Sequence, residues 1–208
     1  MFISFEGIDG SGKSTQAELL AGRLRAEGRE VVALREPGGT ELGERIRALL
    51  LDGPAMTAWA EAALFAAARA QLVAEVIGPA LARGADVVCD RYVDSSLVYQ
   101  GVARGLGLDA VHELNLAATG GLLPTRTFVL LLDPETSHAR LTGARDRIER
   151  EDESFVRRLD EGYRRIVSMF PGRCVAIDAA RPVDEIAEEV RDELARSDTR
   201  AVRGQAPA

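Results

Sequence analysis

The sequence predicts an α/β fold of three layers, in which helices flank a five-stranded parallel sheet. Five short apolar runs alternate with long helical patterns along the chain, which is typical of β-α-β units. The pattern G-x-x-x-x-G-K-S over Gly7–Ser14 lies between the first predicted strand and the first predicted helix. A phosphate-binding loop requires that context, so we expect a P-loop fold.

The predicted strands are apolar runs of four to six residues, short enough for buried strands of a parallel sheet. In chain order they are Phe2–Glu6, Glu30–Leu34, Asp86–Cys89, Thr127–Leu132 and Cys174–Ile177. Apolar residues at helical spacing predict the helices Lys13–Glu27, Glu41–Leu51, Thr57–Ala82, Ser95–Ala103, Asp109–Thr119, Pro134–Leu141, Asp152–Met169 and Val183–Arg196. No repeat or linker divides residues 1–196, which we predict to be one domain, and the polar segment 197–208 is expected to be a flexible tail.

Composition limits the class of protein. The chain has 208 residues, 46% of them hydrophobic and 28% charged, which suits one globular domain. A net charge of −7 argues against unspecific binding to nucleic acid, because such binding needs a basic surface. Cys89 and Cys174 lie in apolar runs without metal-ligand spacing, so we expect reduced core cysteines. No signal peptide or membrane span is expected, and the predicted location is the cytoplasm.

The chemistry of a phosphate loop explains each fixed residue of the pattern. Glycines let backbone N–H groups surround phosphate oxygens, and the following helix presents its positive end to an anion. Lys13 reaches the terminal phosphates, and Ser14 is a predicted Mg²⁺ ligand. The alternative is a glycine-rich turn that binds nothing.

Three classes of P-loop protein differ in what the rest of the chain must contain. A guanine-specific GTPase usually carries Asn-Lys-x-Asp, but Asn115 is the only asparagine and lies outside such a motif. A large ATP-driven motor needs coupling domains that this length does not supply. A small phosphotransferase needs an ATP loop, an acceptor pocket and a basic lid, and the chain has a candidate for each.

The candidate acceptor pocket starts at Asp90-Arg91-Tyr92, directly after the third predicted strand. Ligands of parallel sheets bind beyond the carboxyl ends of the strands, so Asp90 is expected to hold Mg²⁺ through water and Arg91 to bind a phosphate. The alternative is a buried Asp–Arg ion pair. Ser96 and Gln100, at i and i+4, are predicted to read the edge of a base, unless both face solvent.

Arg69 falls on the apolar stripe of the helix Thr57–Ala82, four residues after Phe65 and three before Leu72. A guanidinium on a core-facing stripe needs a partner. A nucleobase stacked on Phe65 is one candidate partner, and an arginine that reaches past the core to water is the alternative.

Two further segments carry candidate phosphate ligands. Gly38-Gly39, within Arg35–Thr40, permits close approach of a ligand, and Arg47 on the next helix is either a second phosphate ligand or an exposed arginine. Arg140, Arg145, Arg147 and Arg150 crowd a predicted lid at about 140–151, where late-arriving cations would stabilise a transferred phosphoryl group. The alternative is a solvated, charged helix end.

Taken together, these residues resemble the thymidylate kinase family. The motifs that carry the resemblance are Phe5–Thr15, Arg35–Thr40, Asp90-Arg91-Tyr92 with Ser95-Ser96 and Tyr99-Gln100, and Asp146–Glu149, in matching order over roughly residues 1–196. The resemblance implies a nucleoside monophosphate kinase-like fold and transfer of the ATP γ-phosphoryl group to dTMP. The product would be dTDP for dTTP synthesis, with Mg²⁺ as cofactor and a homodimer as the assembly.

The resemblance also implies roles for individual residues. Phe65 would stack on thymine, Tyr99 would crowd the 2′ position, and Asp9 would engage the 3′-OH or the metal shell. The implied ATP-binding residues are Gly7, Ile8, Asp9, Gly10, Ser11, Gly12, Lys13, Ser14, Thr15 and Arg140. The implied dTMP-binding residues are Asp9, Glu36, Arg47, Phe65, Arg69, Arg91, Ser95, Ser96, Tyr99 and Gln100. The implied catalytic residues are Asp9, Lys13, Arg91 and Arg147, and the implied metal-binding residues are Ser14 and Asp90.

The chain departs from the family pattern at one point. No basic residue stands inside the phosphate loop, as in the bacterial type whose lid supplies the catalytic arginine. Such lids often read Arg-x-Arg-Gly, but here Thr142 replaces the arginine before Gly143, and Arg145 or Arg147 would compensate. Another P-loop kinase, for a nucleoside or a different monophosphate, and a non-catalytic nucleotide-binding module remain as alternatives.

Overall fold

The computed structural model describes residues 1–141 and 146–203, with side chains through residue 196. Its described residues form one five-stranded sheet in the order β2-β3-β1-β4-β5, and every neighbouring pair is parallel. The strands are β1 Phe2–Glu6, β2 Val31–Arg35, β3 Asp86–Asp90, β4 Arg126–Leu131 and β5 Cys174–Asp178. The predicted fold class is therefore confirmed, with strand ends within one residue of their predicted positions.

The helices cover both faces of this sheet. They are α1 Lys13–Ala26, α2 Glu41–Asp52, α3 Ala58–Leu72, α4 Gly78–Ala82, α5 Val93–Ser96, α6 Leu108–Thr119, α7 Pro134–Arg140, α8 Glu153–Met169 and α9 Val183–Arg203. Two π-helical segments, Val73–Ile77 and Leu97–Ala103, continue α3 and α5. The two helices predicted over these regions therefore form, but each is wound more widely over part of its length.

Helix starts follow the local sequence. Thr40 caps α2 by accepting a hydrogen bond from the Gly43 backbone N–H at 2.9 Å, and Asp152 caps α8 in the same way from Phe155 at 2.8 Å. Such caps satisfy N–H groups that the first helical turn leaves unpaired. The Asp152 cap sets where α8 begins, directly after the predicted lid.

The C-terminal helix is longer than predicted. It runs to Arg203, seven residues beyond the predicted end at Arg196, and so occupies part of the segment expected to be a flexible tail. Residues 204–208 lie outside the described residues. Thr142 and Arg145 of the predicted lid also lie outside them, so their expected roles stay predictions.

The continuous helical stretch Ala58–Ala82 corrects one expectation. By length and apolar composition alone it would pass for a membrane-spanning helix, whereas the apolar runs of the sequence predict no membrane span. Helices of globular folds meet the same criteria, and this one packs against α2 and α6.

The hydrophobic core lies on both faces of the central strands. Phe2, Ile3 and Phe5 of β1 are at most 2% exposed, as are the apolar residues of β3. Cys89 and Cys174 are buried and free, as predicted. Because the strands are parallel, their carboxyl ends share one edge, and the segments that follow β1, β2 and β3 meet there.

Candidate active site

The phosphate loop follows β1 and has the backbone that its glycines permit. Gly10 and Gly12 have φ angles of 76° and 92°, which a side chain would strain. A Cβ at Gly10 would also stand 2.8 Å from the backbone oxygen of Ser137. The loop leads directly into α1, whose first N–H groups have no partner within the helix. An anion can bind there.

Helix α7 supports the loop from the side. Ser137 Oγ donates a hydrogen bond to the Asp9 carbonyl oxygen at 2.6 Å. Arg140 Nη1 lies 3.5 Å from the Gly10 carbonyl oxygen and donates to the Ala179 carbonyl oxygen at 3.1 Å. Arg140 therefore lies against the phosphate loop, and its contact with ATP stays a prediction.

Lys13 lies in the cleft above the loop and is 5% exposed. Its Nζ donates to the Ile8 carbonyl oxygen at 2.8 Å and stands 3.7 Å from Asp9 Oδ1. Burial, together with the charge of Arg91, lowers the pKa of Lys13 to about 8, and nearby carboxylates oppose that change. The lysine is therefore held against its own loop, and a contact with a triphosphate stays a prediction.

Asp9 and Arg91 form an ion pair across the cleft. Burial alone would raise the pKa of Asp9, but the charges of Arg91 and Lys13 outweigh it and lower the pKa to about 2. Arg91 has a φ of 70°, the one positive value among the described non-glycine residues. Its Nη1 donates to the Gly7 carbonyl oxygen and to Ser95 Oγ, each at 3.1 Å. Backbone strain of this kind clusters at functional sites.

A buried network that the sequence patterns do not predict lies below Arg91. Glu6 is fully buried and accepts hydrogen bonds from the Tyr92 backbone N–H at 2.7 Å and from Ser95 Oγ at 2.5 Å. Tyr163 OH reaches Glu6 at 3.3 Å and accepts from Arg91 Nη1 at 3.2 Å. Burial and the neighbouring Asp94 raise the pKa of Glu6 to about 7. The sequence feature that indicates such a network is Glu6 itself, a charged residue inside the first buried strand.

Ser14 and Asp90 form the predicted metal pair. Ser14 Oγ donates to Asp90 Oδ2 at 2.5 Å, and buried Asp90 Oδ1 has no partner among the described residues. The described part of the chain contains no group of three or more His, Cys, Asp or Glu side chains suited to a metal. One hydroxyl and one carboxylate fit Mg²⁺, since this ion usually takes its remaining ligands from water and substrate phosphates.

On the acceptor side, the guanidinium of Arg69 is buried and has several protein partners. Its Nε and Nη2 lie 2.7 Å and 2.6 Å from Glu36 Oε2. Nη1 donates to Ser96 Oγ at 3.0 Å and to Asn115 Oδ1, and Nη2 donates to the Tyr92 carbonyl oxygen at 3.1 Å. The sequence correctly indicated that this arginine needs a partner, but the partner in the structure is a carboxylate. A contact with a base stays a prediction.

The carboxylate of Glu36 is only partly satisfied by this pair. Burial raises its pKa in spite of the charge of Arg69. Its Oε1 atom is buried without a hydrogen-bond partner in the described part of the chain. An unpaired acceptor beside the cleft suits a ligand hydroxyl or N–H group.

Most predicted site residues line a single cleft of about 490 Å³. On the ATP side these are Asp9, Gly10, Gly12, Lys13, Ser14, Thr15 and Arg140, and on the acceptor side Glu36, Arg47, Phe65, Arg69, Arg91, Ser95, Ser96, Tyr99 and Gln100, with Asp90 between them. Ser96 and Gln100 both lie at this cleft, so the alternative that they face solvent does not hold. Arg47 Nη1 donates to the Pro37 carbonyl oxygen at 2.9 Å at its rim.

Arg147 is placed differently from the expectation. Its Nη1 lies 2.8 Å from Glu61 Oε2, and its Nε donates to the Leu50 carbonyl oxygen at 2.8 Å. Its neighbours Asp146 and Ile148 line the cleft, but Arg147 itself does not. Glu61 was not predicted as a site residue, although it lies on the same helical stripe as Phe65.

Comparisons with known proteins agree with this geometry. The sequence profile of the thymidylate kinase family matches residues 5–190. A thymidylate kinase from Symbiobacterium thermophilum is 50% identical over 195 residues, which cover 92% of this chain and 91% of that protein. The chain belongs to the thymidylate kinase family. A thymidylate kinase from Deinococcus radiodurans is 46% identical, with coverage of 91% of this chain and 94% of that one.

A solved thymidylate kinase structure has the same fold. The enzyme from Ehrlichia chaffeensis superposes with a TM-score of 0.77 at 34% identity, with 93% of this chain and 98% of that chain covered. Thymidylate kinases are phosphotransferases that phosphorylate dTMP to dTDP with ATP. The cleft described above is lined by the phosphate loop on one side and by the predicted acceptor residues on the other.

Proposed function

We propose that this cleft transfers the γ-phosphoryl group of ATP directly to dTMP, in line and without a covalent intermediate. The observation that carries the proposal is that the phosphate loop and the predicted acceptor residues line the same cleft. Little covalent chemistry is needed for such a transfer, so the protein mainly positions the two phosphates and neutralises charge.

On the donor side, the loop N–H groups and the N-terminus of α1 bind the triphosphate, and Lys13 binds its terminal phosphates. Arg140 holds the loop from α7 and lies against the nucleotide. Ser14 and Asp90 would hold Mg²⁺, which supplies neutralisation of phosphate charge when bound. The short distance between their oxygens and the unpaired Asp90 Oδ1 support this assignment.

On the acceptor side, Arg91 and Arg47 bind the dTMP phosphate, and Phe65 stacks on thymine. Arg91 is already aligned by Asp9, Ser95 and Tyr163, so little rotamer freedom is lost when it binds a phosphate. Tyr99 OH lies 3.3 Å from Asp9 Oδ2, where the pair would surround the 2′ and 3′ positions of the sugar.

Arg69 and Gln100 complete the acceptor side by contacting the polar edge of the base. Both lie at the cleft, which supports the assignment. Arg69 must exchange one of its protein partners for the base, and Ser96 and Asn115 are the neutral ones. Glu36 keeps the guanidinium in place during that exchange.

The lid supplies the remaining cation. Arg147 is the proposed catalytic arginine from the resemblance, and it must leave Glu61 to reach a transferred phosphoryl group. Arg140 is already within the cleft, so it is the second candidate for that contact.

We also propose a cytoplasmic homodimer that has no nucleic-acid or membrane partner. The exposed Trp59 on α3 and Leu49 on α2, each 50% accessible, are apolar side chains that a second copy would cover. Light scattering after size-exclusion chromatography tests the assembly, and a monomer at micromolar concentration would refute it.

A coupled assay of ADP release tests the reaction. The acceptor panel is dTMP, dUMP, dCMP, dGMP, UMP and thymidine, and dTMP is expected to give the highest kcat/KM. ATP binding without acceptor-dependent ADP release would indicate a non-catalytic module, and preference for another acceptor would indicate a different P-loop kinase. Either result would overturn the proposal.

A further inference from the structure

Glu61 is a buried carboxylate behind the wall of the cleft. It is 2% exposed and lies on α3, four residues before Phe65. Arg104 Nε and Nη2 each donate to it at 3.1 Å, and Arg147 Nη1 lies 2.8 Å away. Its remaining contact is with Gln100, whose Nε2 donates to Glu61 Oε1 at 3.0 Å.

The arginines keep this carboxylate charged. Burial alone would raise the pKa of Glu61, but the hydrogen bonds from Arg104, Gln100 and Arg147 outweigh it and lower the pKa below its ordinary value. An ionised carboxylate has only acceptor atoms. Every group that faces Glu61 must therefore present a donor.

That requirement sets the orientation of the Gln100 amide. An amide has a donor end and an acceptor end, and a flipped Gln100 would place its Oε1 against a carboxylate oxygen. With Nε2 held by Glu61, the carbonyl end is directed away from it. Gln100 lines the cleft, and nothing in the described part of the chain donates to its Oε1. The base pocket thus contains a hydrogen-bond acceptor, Gln100 Oε1, whose direction is fixed by Glu61 on the far side of the amide.

A fixed acceptor discriminates among pyrimidines by their N3 atom. Thymine and uracil carry an N3–H donor, whereas N3 of cytosine is an unprotonated acceptor that a carbonyl oxygen repels. A buried polar group left without its partner is costly, so a site of this kind strongly rejects a base that lacks the N3–H donor. It does not separate thymine from uracil, because both present the same N3–H group.

We infer that Glu61 is a positioning residue that sets acceptor selectivity against cytosine by holding the Gln100 carbonyl toward the base. The inference rests on the proposed function, since it requires the base of dTMP to lie against Gln100. Glu61 acts through Gln100 and does not itself line the cleft.

The variant Glu61→Gln tests this role with little change of shape. Its amide nitrogen can replace either carboxylate oxygen. At the Oε2 position it would face donors of both arginines, which cannot become acceptors. At the Oε1 position it loses one arginine bond, but Gln100 can flip and accept from it. While Arg147 remains bound to Glu61, as it is in this structure, the second arrangement keeps more of the arginine bonds and is favoured, and it turns the Gln100 amide nitrogen toward the base.

The measured quantities are kcat/KM values for dTMP, dUMP and dCMP. We expect Glu61→Gln to lower the dTMP to dCMP ratio on the order of tenfold, and to leave the dTMP to dUMP ratio unchanged. A merely structural role would reduce all three values together. An unchanged dTMP to dCMP ratio in the folded variant would overturn the inference.

Glu151→Gln is the matched control. Glu151 Oε1 accepts from Arg104 Nη1 at 2.6 Å, so this variant disturbs the same arginine without touching Gln100. Its dTMP to dCMP ratio should equal that of the wild type. In a Gln100→Leu background, Glu61→Gln should have no further effect on the ratio, and a full effect there would contradict action through Gln100.

If Glu61→Gln does not fold, Glu61→Asp is measured in its place. The shorter side chain keeps a charge for the arginines but withdraws the carboxylate from Gln100, so the ratio is again expected to fall. Different results would refute the proposed function and the role of Glu61. Absence of dTMP phosphorylation in the wild type would defeat the proposed function, whereas dTMP phosphorylation by the wild type with an unchanged dTMP to dCMP ratio in the folded Glu61 variant would defeat only the inference about Glu61.

Discussion

Replacement of Arg69 by alanine should damage both stability and acceptor binding. The change leaves Glu36, whose side chain is 3% exposed, as a buried carboxylate without its cation. Breaking a buried pair from one side costs about 3–5 kcal/mol. For a chain of this length, each kcal/mol corresponds to about 2–4 °C, so the Tm should fall by about 6–20 °C.

The pH dependence of this variant identifies the cause. Burial already raises the pKa of Glu36, and loss of Arg69 should raise it further. A carboxyl with a raised pKa in the folded state binds its proton more tightly when folded, so stability falls as pH rises toward that pKa. As the pH falls through that raised pKa, the Tm of Arg69→Ala should therefore recover more than the wild-type Tm does.

Thermal melts and steady-state kinetics test this reasoning together. Arg45→Ala is the control, because Arg45 and its partner Glu41 are 75% and 84% exposed, and its Tm should change by less than about 2 °C. The double variant Glu36→Leu/Arg69→Met, which removes both charges, should melt above Arg69→Ala. A Tm of Arg69→Ala within 2 °C of the wild type would refute the buried-pair argument. Unchanged kinetics for dTMP, where we expect a raised KM more than a lowered kcat, would refute base reading by Arg69.

Three further predictions concern the phosphate loop and the network below it. Lys13→Met should lower kcat by about 100- to 1,000-fold in the ADP-release assay, as loss of one charge-stabilising group does, and near-normal turnover would contradict its role. Gly10→Ala should raise the KM for ATP and lower the Tm more than Gly28→Ala does. Both glycines have positive φ, but only the new Cβ at Gly10 meets the Ser137 oxygen, so equal effects would show that this contact is unimportant. Because the pKa of Glu6 is raised from 4.5 to about 7, the unfolding free energy of the wild type relative to Glu6→Gln should decline by up to about 3 kcal/mol between those pH values, at about 1.4 kcal/mol for each pH unit. Urea unfolding at pH 5, 6, 7 and 8 measures this difference, and a flat profile would contradict the raised pKa.

Local sequence was enough to predict the sheet and the phosphate loop. An apolar run such as Phe2–Glu6 predicts a strand without knowledge of its neighbours, because a parallel strand buried on both faces must be apolar along its length. The loop needs contiguous glycines, a lysine and a hydroxyl, all within Gly7–Ser14. The end of the last helix was predicted at Arg196 but lies at Arg203, because the apolar periodicity changes only slowly there. The π-helical winding of Leu97–Ala103 was not predicted, because it does not alter the apolar pattern of the sequence.

The partners of charged residues were decided only by the tertiary structure. The sequence alone determined that Arg69 lies on a core-facing stripe and needs a partner, since burial of an unpaired guanidinium is too costly. It could not determine that the partner is Glu36, 33 residues earlier, together with Asn115, 46 residues later. For the same reason it could not determine that Arg147 pairs with Glu61, and a contact of Arg147 with a transferred phosphoryl group stays a prediction. A buried charge in the sequence predicts that some opposite charge or hydrogen-bonding group lies nearby. The identity of that partner depends on the chain segments that the packed sheet and helices bring within a few ångströms of it.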